Sequence, residues 1–120
     1  MKLIIPINGE NLDGQVNPSF GRTKQFMLVD SDSREFEIIP NEQNMTAAQG
    51  AGIQAAQTVI KSGAEAVITT HLGPKASRVL SEGGIKVFTA KAMPIMEALD
   101  LFSKNELEEM NGANVEGHWV

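Results

Sequence analysis

The sequence predicts one α/β domain built on a mixed five-stranded sheet with helices packed on it. Three observations carry that expectation. A short β-branched run stands at the N-terminus. Two β-rich runs flank Ser31-Asp32-Ser33. Beyond residue 62, apolar strand-like and helix-like segments alternate, separated by glycine and proline. Alternation of that kind implies crossovers and parallel pairing in the second half, while a hairpin contributes antiparallel strands to the same sheet.

Residues 2–7 form a compact apolar run and are expected to be the first strand. Pro6 lacks a backbone donor, which suggests a sheet edge or the strand's end. Residues 8–20 are rich in Gly, Asn and Asp without periodicity, so they read as a long loop, a class that is often functional. Residues 25–30 and 34–40 are the hairpin strands, with Phe26 and Leu28 on one face and Phe36 and Ile38 on another.

Residues 41–45 are polar and read as a loop. Thr46 is placed to cap a helix that continues to Ser62, with Ile53, Ala56 and Ile60 as its inward stripe and Gly63 as its C-terminal stop. Residues 66–70 have the composition of a buried strand. Pro74 suits the first position of the next helix, whose inner face is Ala76, Val79 and Leu80. Residues 85–89 are the last strand, and Pro94 opens a helix with Ile95, Ala98, Leu99 and Phe102 inside. Ser103 and Glu106 have capping-box spacing, so residues 105–110 are expected to add a turn. The organisation is then a body, residues 1–103, and an acidic tail, residues 104–120.

Composition narrows the function. The net charge of −5 is concentrated: residues 106–120 carry four glutamates and no Lys or Arg, leaving 11 acids and 10 bases in residues 1–105. An anion site in the body is therefore compatible with the acidity, whereas nucleic acid and anionic membrane are not expected partners. Only six residues are aromatic, so a base-stacking surface is absent. There are no cysteines, which excludes disulfides, thiolate zinc and thiolate-held iron–sulfur clusters. The N-terminus has no signal-peptide pattern, and no run approaches the roughly 20 apolar residues of a membrane span. A cytoplasmic monomer is the expectation.

The candidate site is the strand-end loop Thr69-Thr70-His71-Leu72-Gly73-Pro74-Lys75. Backbone N–H groups at a helix start, aided by the dipole, favour an anion. Gly73 admits close approach of a ligand, and Lys75 or Arg78 adds charge. An ordinary βα turn needing Gly and Pro for geometry competes with that reading. His71 could ligate a metal or donate to an anion; His118, beside Trp119 in the tail, is the weaker candidate. Arg22, ending Asn17-Pro18-Ser19-Phe20-Gly21-Arg22, is a fixed cation, and Phe20 is read as a core anchor. Met45 and Met93 place soft thioethers in loops. Gly50-Ala51-Gly52 looks like a dinucleotide fingerprint but lacks its third glycine and falls inside the predicted helix. Nucleophile–histidine and clustered-carboxylate chemistries find no support.

Ser19-Phe20-Gly21-Arg22, Gly50-Ala51-Gly52 with the alanine-rich helix, and the run from Ala66 through Gly73-Pro74-Lys75 to Val87 together resemble the dinitrogenase iron–molybdenum cofactor biosynthesis family. The likeness spans residues 1 to about 102. It implies a ribonuclease H-like fold without nuclease activity and a non-catalytic carrier role for an anionic metal–sulfide cluster. Within the family the chain is nearest to stand-alone carriers of a molybdenum–copper sulfide cluster; an iron–molybdenum cofactor or its precursor is the alternative cargo, and a partner ATPase is implied. The expected pocket residues are Arg22, Asn44, His71, Gly73 and Lys75. Nitrogenase-associated members often carry a histidine before the first long helix, but residues 41–49 contain neither His nor Cys. The cargo is therefore expected to be held by charge and hydrogen bonds. The competing roles are a regulatory module for an ATPase and a small phosphate- or nucleotide-binding protein.

Overall fold

The computed structural model describes residues 1–43 and 50–113. The elements are β1 (Lys2–Asn8), β2 (Gln15–Val16), β3 (Gln25–Asp30), β4 (Phe36–Pro40), α1 (Ala51–Ser62), β5 (Ala66–Thr69), α2 (Pro74–Glu82), β6 (Lys86–Thr89), α3 (Ile95–Ser103) and β7 (Glu108–Glu109). Among the described residues the sheet has seven strands, in the order β4-β3-β1-β5-β6-β7 with β2 also paired to β1. The expected five are its longer strands; β2 and β7 are two-residue additions too short to leave a periodic signal.

β1 organises the sheet. It pairs antiparallel with β3, from Lys2 opposite Asp30 to Pro6 opposite Phe26, and parallel with β5 through Leu3 and Ile4. Pro6 therefore lies near the end of a central strand: of the two placements expected of it, the sheet edge is not met and the strand's end is close. It is tolerated because β5 pairing has ended two residues earlier, and its carbonyl accepts from the Asn17 N–H at 2.8 Å. β5 and β6 pair in parallel over four residues each, as strand–helix alternation requires.

Alternation along the strands divides the core in two. Leu3, Ile5, Met27, Val29, Ala66 and Ile68 face α3, which adds Ile95, Ala98 and Leu99. Ile4, Phe26 and Val67 face α1 and α2, joined by Phe20, Val59 and Leu80. Phe20 is fully buried, with its ring centroid 5.5 Å from that of Phe26, as an anchor should be. No helix among the described residues is long and apolar enough to cross a membrane.

Three local expectations are corrected. Thr46 lies outside the described residues, but the helix begins at Ala51 with Gly50 as an extended N-cap (φ −75°, ψ 175°), so Gly50 is not helical. Alanine propensity overruns the boundary, which the extended backbone of Gly50 marks. The buried face of α1 is Gly52, Ala55, Ala56 and Val59, whereas Ile60 is 39% exposed. Small residues face the sheet and let the helix sit close, while the Ile60 side chain covers Gly83, at the end of α2. Residues 105–110 form no helical turn. Asn105 takes φ 59° after α3, and β7 then pairs antiparallel with β6. The Ser103–Glu106 spacing thus marks a helix end. Gly63 stops α1 in the left-handed region as expected.

The β3–β4 turn depends on Asp30. Its carboxylate accepts the N–H groups of Asp32 at 2.9 Å and Ser33 at 3.0 Å, and these bonds hold its pKa below the ordinary carboxylate value. Arg34 sits at φ 65° and pairs with Asp100 of α3 at 2.7 Å, pinning the turn to that helix. A depressed native pKa stabilises above the unfolded value and is lost as pH falls through the native one. Asp30→Ala should therefore lower the melting temperature at neutral pH, and the gap from wild type should shrink as pH drops below about 4. Thermal melts from pH 7 to 2 measure it.

Candidate functional site

Chain direction brings all three helix starts to one edge. α1 runs into β5 through only Gly63, Ala64 and Glu65, so its N-terminus lies toward the carboxyl end of β5. α2 begins five residues after that strand end, and α3 begins beyond the carboxyl end of β6. In open α/β sheets ligands bind along this edge.

The three starts are not equivalent. At α3 the Ile95 N–H donates to the Gly14 carbonyl at 2.9 Å, and Val16 N–H donates to the Met93 carbonyl at 2.8 Å. The segment expected to be a long free loop is thus folded as β2 and spent on closing the α3 start. Gly14 has no room for a side chain: a Cβ there would lie 2.8 Å from the Asn8 carbonyl oxygen and 2.9 Å from the Ile7 side chain. α1 and α2, in contrast, start on Gly50 and Gly73, which have no side chain to cap them, and neither has an acid in its first turn. The Gln54 and Ser77 N–H groups bond back to Gly50 and Gly73 at 3.1 and 3.0 Å. The N–H groups of Ala51, Gly52 and Ile53, and of Lys75 and Ala76, have no intrahelical carbonyl to meet. Both helices pack on the same face of the sheet and on each other.

His71, Gly73 and Lys75 share this edge. Gly73 is buried as the α2 cap, and Lys75 is exposed in the first turn. His71 pairs with Ser19 as a parallel bridge, which draws the 17–22 segment beside the β5 loop. Its N–H donates to the Pro18 carbonyl at 3.2 Å, and its Nδ1 lies 3.1 Å from the same oxygen. A carbonyl only accepts, so Nδ1 carries a proton. His71 is thereby fixed in orientation as a brace between two loops. Arg22 is exposed in the same 17–22 segment, but it lines a separate cleft of about 470 Å³ with Asn8, Asn17 and Lys24. Asn44, Met45 and His118 lie outside the described residues.

Two residues escaped the sequence reading. Gln43 Nε2 donates to the Gly21 carbonyl at 2.8 Å and to the Ala51 carbonyl at 3.0 Å, joining the 17–22 segment to the first residue of α1. Asn41 is buried, and its Nδ2 donates to the Thr23 carbonyl at 2.8 Å and to Gly21 at 3.4 Å. Amides in a polar stretch carry no pattern that separates a bridge from a solvated loop. Among the described residues no group of three or more His, Cys, Asp and Glu could hold a metal ion. A groove of about 770 Å³ runs along α2 to the segment after β7 and mixes Arg78 and Lys86 with Glu82 and Glu109, so its charges offset one another.

The sequence profile described as dinitrogenase iron-molybdenum cofactor matches residues 1–105. An uncharacterized protein of Methanocaldococcus jannaschii is 34% identical over 112 residues, 91% of each chain. Among solved structures, the apo form of the orange protein from Desulfovibrio gigas is similar at 35% identity and a TM-score of 0.88, over 95% of this chain and 96% of that one. A candidate NifB protein from Thermotoga is similar at 29% identity and a TM-score of 0.78, over 97% and 98%.

Gln43→Ala removes both bridging donors and should cost about 1 kcal/mol of stability. Amide exchange should quicken at residues 21–23 and 51–53 and stay unchanged in β1. Denaturant unfolding with hydrogen exchange checks both.

Proposed function

Because this chain belongs to the dinitrogenase iron-molybdenum cofactor family, we propose that it is a non-catalytic carrier that holds an anionic metal–sulfide cluster without covalent bonds. One observation carries the reading: α1 and α2 start side by side on glycines with no side-chain cap and no first-turn acid, while the α3 start is closed by Gly14. Two aligned helix starts supply several N–H donors and the positive ends of two dipoles.

The donor set suits a sulfide-bearing anion. Such a cluster brings its own metal ligands, so a chain with no cysteine need offer only hydrogen-bond donors and positive charge. Lys75 supplies charge at the α2 start. Arg22, in the segment braced by His71, is our candidate for the second cation, and Asn44 is our candidate for a further polar contact to the cargo. His71 positions the loops. The resemblance to the family's stand-alone carriers favours a molybdenum–copper sulfide as cargo over an iron–molybdenum cofactor or precursor. The order of the five longer strands supports a ribonuclease H-like reading of the sheet. The same helix starts would attract phosphate, so phosphate competition ranks that alternative.

Metal-free protein titrated with tetrathiomolybdate and copper(I) should form a coloured one-to-one complex. No uptake above that of an unrelated acidic protein would contradict the proposal. Lys75→Ala should weaken the complex about three- to tenfold, the scale of one lost charge-assisted contact. Raising salt from 50 to 500 mM should weaken wild type more than the variant. Equilibrium dialysis with metal analysis reads both.

A further inference from the structure

Thr69 ends β5 at the edge where α1 and α2 begin. It has no solvent exposure, yet its Oγ1 finds no hydrogen-bond partner among the described residues. A buried hydroxyl in a strand ordinarily finds an acceptor, and leaving it unpaired costs stability. Alternation settles its direction. Ala66 and Ile68 pack toward α3 and Val67 toward α1 and α2, so Thr69 shares the α1–α2 face with Val67. Its own backbone is ordinary: its carbonyl accepts the Ala90 N–H at 3.0 Å, and it pairs with Thr89 of β6. The unmet group is the side chain alone, and it lies on the sheet face that carries α1 and α2, at the strand end toward which both helices start.

Resting on the carrier reading, we propose that the Thr69 hydroxyl is a specificity-determining donor to the bound anion, at the floor of the site whose rim is the α1 and α2 N–H groups. It completes a donor set in which no atom is a metal ligand. A tetrahedral oxo- or thio-anion, with acceptor atoms directed to several sides, can meet rim and floor together. Because the hydroxyl is fully covered, it is reached only when covering side chains part. Its contribution therefore appears in retention, through a slower dissociation rate, and not in encounter.

The test uses Thr69→Val, which keeps the shape and removes the hydroxyl, and Thr69→Ser, which keeps it. Ligand-free Thr69→Val should melt higher than wild type by a few degrees, about the shift expected on relieving one unpaired buried group. The same variant should bind tetrathiomolybdate about tenfold more weakly, with the loss in the dissociation rate, and Thr69→Ser should retain wild-type affinity. Opposite signs for stability and binding distinguish a ligand-directed hydroxyl from a structural one. A lower melting point for Thr69→Val, or unchanged affinity with wild type still binding, overturns the assignment of Thr69 and leaves the carrier reading standing. Failure of wild type itself to take up tetrathiomolybdate, with or without copper(I), overturns both, and is seen before any variant is compared.

Discussion

The placement of β1 at the centre of the sheet is the constraint on which the rest depends. Residues Leu3 to Ile7 are buried on both faces, and the strand is paired to β3, β5 and β2 at once. Antiparallel pairing on one side and parallel pairing on the other fixes the direction of every later element. β5 and β6 must then point the same way as β1, and short connections bring the starts of α1, α2 and α3 to one edge. Were β1 to slip by one residue, Ile4 would exchange faces with Leu3 and Ile5, and both cores would lose their partners.

From that frame follows an unequal use of three similar helix starts. Gly14 and β2 satisfy α3, at a glycine where a Cβ would collide with backbone. The starts of α1 and α2 are held in place from outside: Gln43 ties Ala51 to Gly21, and His71 ties the α2 loop to Pro18. The polar side chains nearest this edge thus act mainly on backbone carbonyls, and the first-turn N–H groups of both helices have no intrahelical acceptor. A preorganised backbone of this kind recognises charge and shape in a ligand.

Much of the fold was legible in the sequence because it rests on patterns that burial imposes. The runs at residues 2–7, 25–30 and 66–70 and the glycine stop at Gly63 each follow from local chemistry. Pairing partners did not. β2 and β7 exist because longer strands offer them a ladder, so two residues suffice and no periodicity shows. The central position of Pro6 depends on where β5 ends. For the site, Gly73 and Lys75 were legible as a helix start. Gln43 and Asn41 act through contacts with carbonyls some 20 residues distant, and although Thr69 opens the candidate loop, no sequence pattern marks its hydroxyl as unpaired.

The central claim is that the backbone at the α1 and α2 starts, and no protein–metal bond, holds the cargo. Amide chemical-shift mapping during titration with tetrathiomolybdate and copper(I) tests it most directly. The account predicts that the largest shifts fall on Ala51, Gly52, Ile53, Lys75 and Ala76, while Ile95 at the closed α3 start stays still. Shifts concentrated in the α2–β7 groove or at Ile95, with the α1 and α2 starts unmoved, would contradict it.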